Sequence, residues 1–312
     1  MTSVSIVLPF LNAERFLEEA IASVEDQTHQ DWELLLVDDG STDASAVIAR
    51  TAVRRDRRIR LLTCPPQSAH GAAAARNLGL EQAAGELIAF LDADDVFEQR
   101  RIESQVELFR RHPESMVVYG PTRWWHPEAA ERDWTEPMGR LAGRVHRPPE
   151  LLDKVLLSGR GHVPCTCSIT VRRTALDVVG GFEHFQLYED QTLWVKLFLR
   201  YPVYVSEFVG ARYRQHDESM SAQAQRSGDY DRTRPHTARA AFLDWVHDHV
   251  EAAGCHDDSI VRALRRATAV NSSDWTGLSF ADRIVLLAFA AKDRCRWLAR
   301  RLRWNLKRIR LR

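Results

Sequence analysis

Over its first 120 residues the chain alternates short apolar runs with segments of helical spacing, and several runs stop at loops rich in carboxylates. Residues 4–8 form the first run and stop at Pro9, as a strand buried on both faces does. Phe16, Leu17, Ala20, Ile21 and Val24 then follow the spacing of one helical face, with Asn12 placed as an N-cap. Residues 32–37 read as a second strand, ending in Asp38, Asp39, Gly40 and Ser41, and Asp43 is placed to cap a helix reaching Val53. Residues 58–63, 71–83, 86–91, 99–111 and 116–119 continue as strand, helix, strand, helix and strand. That order predicts an α/β fold, a mainly parallel sheet flanked by helices on both faces. Sheets of this kind take ligands just beyond the carboxyl ends of their strands. Three loops there, 9–14, 38–43 and 92–95, carry polar residues where a merely structural loop needs only turn formers.

Residues 121–165 are rich in Trp, Pro and Arg and read as long loops over one face of the sheet. A strand at 168–171, a short helix closed by Gly180 and Gly181, and a helix over 190–200 follow. Beyond Met220 the chain reads as wholly helical, an appendage rather than part of the sheet. The expected division is a domain over 1–221, split into halves 1–120 and 121–221, and a helical region over 222–312.

Charge separates along this layout. The 43 basic and 43 acidic side chains cancel, yet residues 292–312 hold ten Lys or Arg against one Asp. The acidic remainder argues against a nucleic-acid binder, whose positive charge would sit on the main domain. The tail mixes Trp297, Leu298, Leu302 and Trp304 among its cations, a pattern suited to an anionic membrane surface or to docking on the acidic domain. No basic segment precedes the first apolar run, so no signal peptide is expected, and no apolar run reaches the roughly 18 residues of a membrane span. Cys64, Cys165, Cys167, Cys255 and Cys295 are odd in number and scattered, which reads as reduced thiols in a cytoplasmic protein. Cys165 and Cys167 would share one face of a strand, with no second Cys or His pair to complete a zinc site.

Several residues carry candidate chemistry. Asp92 and Asp94 flank one residue, and carboxylates that close repel unless a cation or donors neutralise them; Mg²⁺ or Mn²⁺ shared with a diphosphate would do so. An Asp-rich turn with Asp95 as helix cap fits the same residues. Asp38 and Asp39 suit either a turn or a carboxylate receiving a base N–H or ribose hydroxyl. Arg76, among small residues in GAAAARNLG, suits a phosphate or ribose contact or a plain helix surface. Glu189 and Asp190 open a helix, where the dipole favours an ionised carboxylate, either as a cap or as a general base. His216, beside Arg214, suits metal or diphosphate binding or a structural place.

Together these segments resemble the family-2 glycosyltransferases of the GT-A fold. The resemblance runs through SIVLPFLNAERFLEEAIASVEDQTHQDWELLLVDDGSTD, GAAAARNLG, GELIAFLDADD, VGGF and YEDQTLW to YRQHDES, in order, over residues 3–221. It implies that Pro9, Glu14 and Asp39 line a nucleotide-base pocket, and that Arg76 and Asp92 lie near ribose and diphosphate. It implies Asp94 as principal metal ligand with Asp92, His216 as a further metal or diphosphate contact, and Mn²⁺ or Mg²⁺ as the ion. Asp190 resembles the catalytic base, with Glu189 beside it shaping the acceptor site. Gly180, Gly181 and Phe182 would form a loop near sugar and acceptor, and Trp124 and Trp125 would stack on sugars or fill a core.

The implied reaction is inverting transfer from a nucleoside-diphosphate sugar, a UDP-sugar first among them, to a hydroxyl of a glycan, lipid-linked or other acceptor. Cell-surface glycan synthesis, in the cytoplasm or peripherally on the inner face of the membrane, is the implied setting. Two departures stand out: Leu11 occupies the position before Asn12 where the family often has an aromatic, and the Gln-x-x-Arg-Trp motif of processive synthases is absent after Glu189-Asp190. The second implies one transfer per encounter. The rivals are a nucleotide-sugar-binding protein without turnover, which has no use for Asp190, and a nucleotidyltransferase, which would carry a Gly-rich, Lys- or Arg-bearing phosphate loop where PFLNAER stands.

Overall fold

The computed structural model describes residues 2–65, 71–158, 161–231 and 235–287. In chain order the elements are β1 (Val4–Phe10), α1 (Leu17–Glu25), β2 (Trp32–Asp38), α2 (Ser45–Arg55), β3 (Ile59–Thr63), α3 (Ala72–Gln82), β4 (Leu87–Phe90), β5 (Val96–Phe97), α4 (Arg101–Arg111) and β6 (Val117–Tyr119). The second half contributes β7 (Thr122–Trp125), β8 (Trp134–Thr135), β9 (Arg144–His146), β10 (Ile169–Arg172), α5 (Arg173–Val179), α6 (Glu189–Arg200), β11 (Val203–Val205), β12 (Ala211–Arg214), α7 (Met220–Ser227), α8 (Thr237–Ala252) and α9 (Asp258–Ser272).

The main sheet has the order β3-β2-β1-β4-β10-β6-β11-β9. Strands β3, β2, β1 and β4 run parallel; the apolar runs of β1, β2 and β4 are buried on both faces, while β3 forms the partly exposed edge. The period of two sends Val7, Leu35, Val37, Ile88 and Phe90 into one apolar layer and Ile6, Leu8, Leu34, Leu36 and Ala89 into the other. Helix α1 buries Leu17, Ala20, Ile21 and Val24 against the second layer. On the opposite face α3 lies so close to β1 that Gly79 has no room for a Cβ beside Val7. Strand β10 runs antiparallel to both β4 and β6.

Several local expectations are corrected. Strand β1 continues through Pro9 to Phe10, because a neighbouring strand still pairs there: Pro9 stands opposite Val37 and Phe10 opposite Asp38. Asn12 does not cap α1, whose N-cap is Phe16; it sits in the left-handed region at φ 49° and accepts the Thr42 N–H at 2.8 Å through Oδ1. Asp43 accepts the Ser45 N–H at 2.9 Å and the Glu14 N–H at 3.0 Å at the start of α2. Residues 121–165 are more regular than their composition suggests, since β7 and β8 join β5 and β12 in a second sheet of order β5-β12-β7-β8. Cys165 precedes and Cys167 lies within a single 3-10 turn, Thr166–Ser168, so they share no strand face; burial pushes both thiols up, away from the reactive thiolate.

The helices beyond Met220 add no strand, but they share the main core. Phe242, Leu243 and Val246 of α8 and Ile260, Ala263 and Leu264 of α9 are buried in the layer that holds Trp194 and Phe198 of α6. Among the described residues no helix is long and apolar enough to cross a membrane. The basic segment 292–312 lies outside the described residues.

Candidate active site

The carboxyl ends of β1, β2 and β4 open onto a cavity of about 740 Å³, walled on its far side by residues 163–166, by 187–191 and by the start of α7. Pro9, Asp39, Arg76, Asp92, Asp94, Trp124, Glu189, Asp190 and His216 all line it.

At the β2 end the two neighbouring carboxylates divide the work. Asp38 is the turn former: its Oδ1 accepts the N–H groups of Gly40 at 3.2 Å and Ser41 at 2.8 Å. Asp39 faces the cavity and accepts the Gly71 N–H at 2.7 Å. Gly71 takes φ 104°, a conformation that only glycine adopts freely, and so swings the chain into α3 beside Asp39.

The loop 92–95 is the hinge between the sheets, leaving β4 of the large one and entering β5 of the small one. Asp95 does not cap a helix. It is 1% exposed and accepts the Arg214 N–H at 2.9 Å; burial, then the charges of Asp94 and Asp92, push its pKa well above the usual carboxylate range. Arg214 fixes the hinge from the other side, donating to the Asp94 carbonyl at 2.7 Å. His216 Nε2 and Asp94 Oδ2 lie 2.9 Å apart.

Arg76 joins the two halves of the site. The residue is 4% exposed, and its guanidinium donates to Asp92 Oδ1 at 2.6 Å and to Glu189 Oε1 at 2.9 Å. Burial opposes that charge, but the two carboxylates outweigh it and hold the group ionised. Asp190 follows directly, and its pKa is raised from the ordinary 3.8 to about 7, by burial first and the Glu189 charge second, with Arg76 pulling the other way.

A divalent ion suits this donor set. Asp92 and Asp94 are hard oxygen ligands, and among the described residues one oxygen of each carries no hydrogen bond. No group of three or more His, Cys, Asp or Glu converges as a closed metal cage among the described residues. Mg²⁺ and Mn²⁺ need none, since they complete their shell with water and phosphate oxygens.

Other sequence-derived candidates stand elsewhere. Glu14 lies outside the cavity lining and accepts the Ala44 N–H at 2.9 Å, forming with Asp43 a reciprocal cap on α2. Gly180, Gly181 and Phe182 do not line the cavity; Gly181 abuts Asn77, and the Arg76 guanidinium stands 5.4 Å from the centre of the Phe182 ring. Trp125 is also outside the lining, beneath the guanidinium of Arg214 at 4.2 Å and that of Arg212 at 4.8 Å. Trp124 does line the cavity, stacked on Trp134 at 5.1 Å and donating to Glu136 Oε1 at 2.9 Å.

The sequence reading missed three participants. Asn77 clamps Phe182 through both its N–H and its carbonyl, each at 2.8 Å; its place beside Arg76 in α3 was the only signal. Asp95, which reads as a helix cap, and Tyr188, which reads as a routine neighbour of a charged motif, are the other two.

Comparison with known proteins agrees with this geometry. The family model described as Glycosyl transferase family 2 matches residues 5–180. The UDP-Glc:alpha-D-GlcNAc-diphosphoundecaprenol beta-1,3-glucosyltransferase WfgD of Escherichia coli is 41% identical over 117 residues, 38% of this chain and 44% of that protein. The chain spans less than half the length of the curated relatives it matches. Among solved structures, residues 1–349 of TarS from S. aureus in complex with UDP-GlcNAc superpose with a TM-score of 0.63 at 18% identity, covering 89% of this chain and 73% of that one. The mannosyltransferase PcManGT of Pyrobaculum calidifontis, in complex with GDP-Man and Mn²⁺, gives 0.55 at 17% identity, covering 93% and 80%. These two likenesses establish the GT-A architecture.

Proposed function

Because the chain belongs to glycosyl transferase family 2, we propose that it moves one sugar per encounter from a nucleoside-diphosphate sugar to an acceptor hydroxyl, with inversion at the anomeric carbon. The observation that carries this reading is the single cavity onto which a donor-side pair, Asp92 and Asp94, and an acceptor-side pair, Glu189 and Asp190, both open, bridged by Arg76.

In this reading Pro9 and Asp39 receive the nucleotide base, and Arg76 and Asp92 border the ribose and diphosphate. Asp94 and Asp92, with His216 beside them, hold Mn²⁺ or Mg²⁺. When bound, that ion neutralises the charge that grows on the departing nucleoside diphosphate. Asp190 takes the proton from the acceptor hydroxyl as its oxygen attacks in line from the side opposite the leaving group. A base poised near 7 is suited to that task at neutral pH, since it is available ionised and still basic enough to accept a proton. Glu189, held by Arg76, keeps the acceptor side registered on the donor side. Trp124 offers an aromatic wall on the acceptor side.

We propose a UDP-sugar as donor and a glycan or lipid-linked hydroxyl as acceptor, in cell-envelope polysaccharide synthesis. The donor and acceptor in the name of the WfgD relative support that choice. The basic segment 292–312 supports peripheral attachment to an anionic membrane, on its inner face.

A thermal-shift screen of UDP- and GDP-sugars with Mn²⁺, Mg²⁺ or chelator tests the donor reading directly. One donor raising the melting temperature only with a divalent ion is the expected result. A screen in which no nucleotide sugar shifts the transition would overturn it.

A further inference from the structure

Tyr188, the residue before Glu189 and Asp190, holds a backbone conformation that a bulky side chain rarely takes. Its φ is 71° and ψ 12°, in the left-handed region, at the N-cap position of α6. For a non-glycine residue that conformation is strained and persists only where the surroundings enforce it.

Those surroundings come from the C-terminal helical region. The Tyr188 ring stacks on Phe242 of α8 at 5.1 Å and 21°, and lies nearly parallel to the His236 ring at 5.9 Å. The Arg239 guanidinium stands 5.3 Å from the Tyr188 ring centre and 5.2 Å from that of Phe242, while Arg239 also donates to the Leu156 carbonyl at 3.0 Å. His236 Nδ1 accepts the Arg239 backbone N–H at 3.3 Å, which leaves Nε2 to carry the ring proton and donate to Tyr188 Oη at 3.0 Å. Asn271 of α9 in turn bonds the His236 backbone, accepting its N–H at 3.3 Å and donating to its carbonyl at 3.4 Å. A chain of contacts therefore runs from α9 and α8 through one aromatic ring to the residue next but one from the proposed base.

From this we infer that Tyr188 is a positioning residue for Asp190, and that the C-terminal helices, through His236 and Phe242, set the angle at which the base meets the acceptor. The inference rests on Asp190 being the base. The helical region is thereby part of the catalytic apparatus without touching the reacting atoms.

Turnover is read as Mn²⁺-dependent release of UDP or GDP from whichever nucleotide sugar stabilises the protein, with calorimetry of the same nucleotide diphosphate as the donor-binding readout. Tyr188→Ala should lower kcat by roughly a hundredfold, the usual penalty for a misplaced catalytic group, with donor KM and diphosphate affinity within about twofold of wild type. Its pH–rate profile should also shift on the acidic limb. Tyr188→Phe keeps the ring and loses only the His236 bond, so it should cost about threefold, and His236→Gln should recover most of what His236→Ala loses. Wild-type kcat and pH profile in a folded Tyr188→Ala protein would overturn the inference. If that variant does not fold, identical kcat values for His236→Ala and wild type would overturn it instead. Parallel loss of donor affinity and kcat would mark a merely structural residue. Asp190→Asn run alongside separates the two levels: an active Asp190→Asn refutes the base, whereas an inactive one beside an unaffected Tyr188 series refutes only the coupling.

Discussion

Replacing Asp190 by Asn should make the protein more stable while removing its activity, and the gain should depend on pH in a defined direction. The carboxyl ionises at about 7 in the folded chain against an ordinary 3.8, because burial and the adjacent Glu189 charge disfavour the anion more than Arg76 favours it. Between those two values the folded state holds a proton that the unfolded chain has released. Wild-type stability therefore falls as pH rises through that window, and the full cost is present above about pH 7. At about 1.36 kcal/mol per pH unit, the gap sets an upper limit of about 4 kcal/mol; because Asp190 opens onto the cavity, about 2 kcal/mol is the working expectation. Asn has the same shape and does not titrate. Urea denaturation of both proteins should give a small difference near about pH 5, growing in favour of the variant towards about pH 8. Turnover should fall by about a thousandfold or more over the same range, as expected on removing a general base. A stability difference that is flat with pH, or that favours wild type at high pH, would refute the assignment of a destabilised carboxylate at this position.

Three further outcomes follow from the same geometry. Arg76→Ala leaves Asp92 and Glu189 facing each other without their shared cation, and should cost about 3–5 kcal/mol in urea denaturation; Arg76→Lys should recover only part, lacking the two-pronged fork. Asp94→Ala should abolish the Mn²⁺-dependent part of UDP or GDP binding in calorimetry while leaving metal-free binding within about threefold, since Asp39 and Pro9 are untouched. Gly79→Ala drives a methyl group into Val7 where α3 crosses β1, and should lower stability by about 1–3 kcal/mol with the pH dependence of turnover unchanged.

The parallel half of the fold was readable in the sequence because its signals are local. Buried strands of continuous apolar residues, helix faces at intervals of three and four, and Asp or Gly at strand ends all lie within a few residues of one another. Arg76, Asp92, Asp94 and Asp190 stand out in the sequence for the same reason, as charged residues at strand ends, in a glycine-bounded run or at a helix start, and the fold brings them to one cavity. What failed depends on partners far away in the chain. Asn12 looks like a cap but bonds Thr42 on another loop, and Glu14 looks like a ligand but closes the end of α2. Gly181 and Phe182 look like a substrate loop, yet Asn77, 105 residues earlier, holds Phe182 against α3. The second sheet was invisible because its strands are two to four residues long and its central strand β12 pairs with chain far away, Arg212 with Val96 and Ala211 with Thr122. No periodicity develops over so few residues.

The reversal of β10 has a consequence for how such a protein can change over generations. Thr170 stands across from Ala89 and Arg172 from Leu87, so β10 begins at the edge of the sheet where β4 finishes. Chain arriving at β10 therefore delivers residues 163–166 to the same rim that β1, β2 and β4 reach on leaving. Insertions, deletions or exchanges upstream of Cys165 can remodel one wall of the cavity while the four parallel strands keep their register. New specificities can then be tried by swapping that one stretch of gene, with the cation-bridged carboxylates inherited intact.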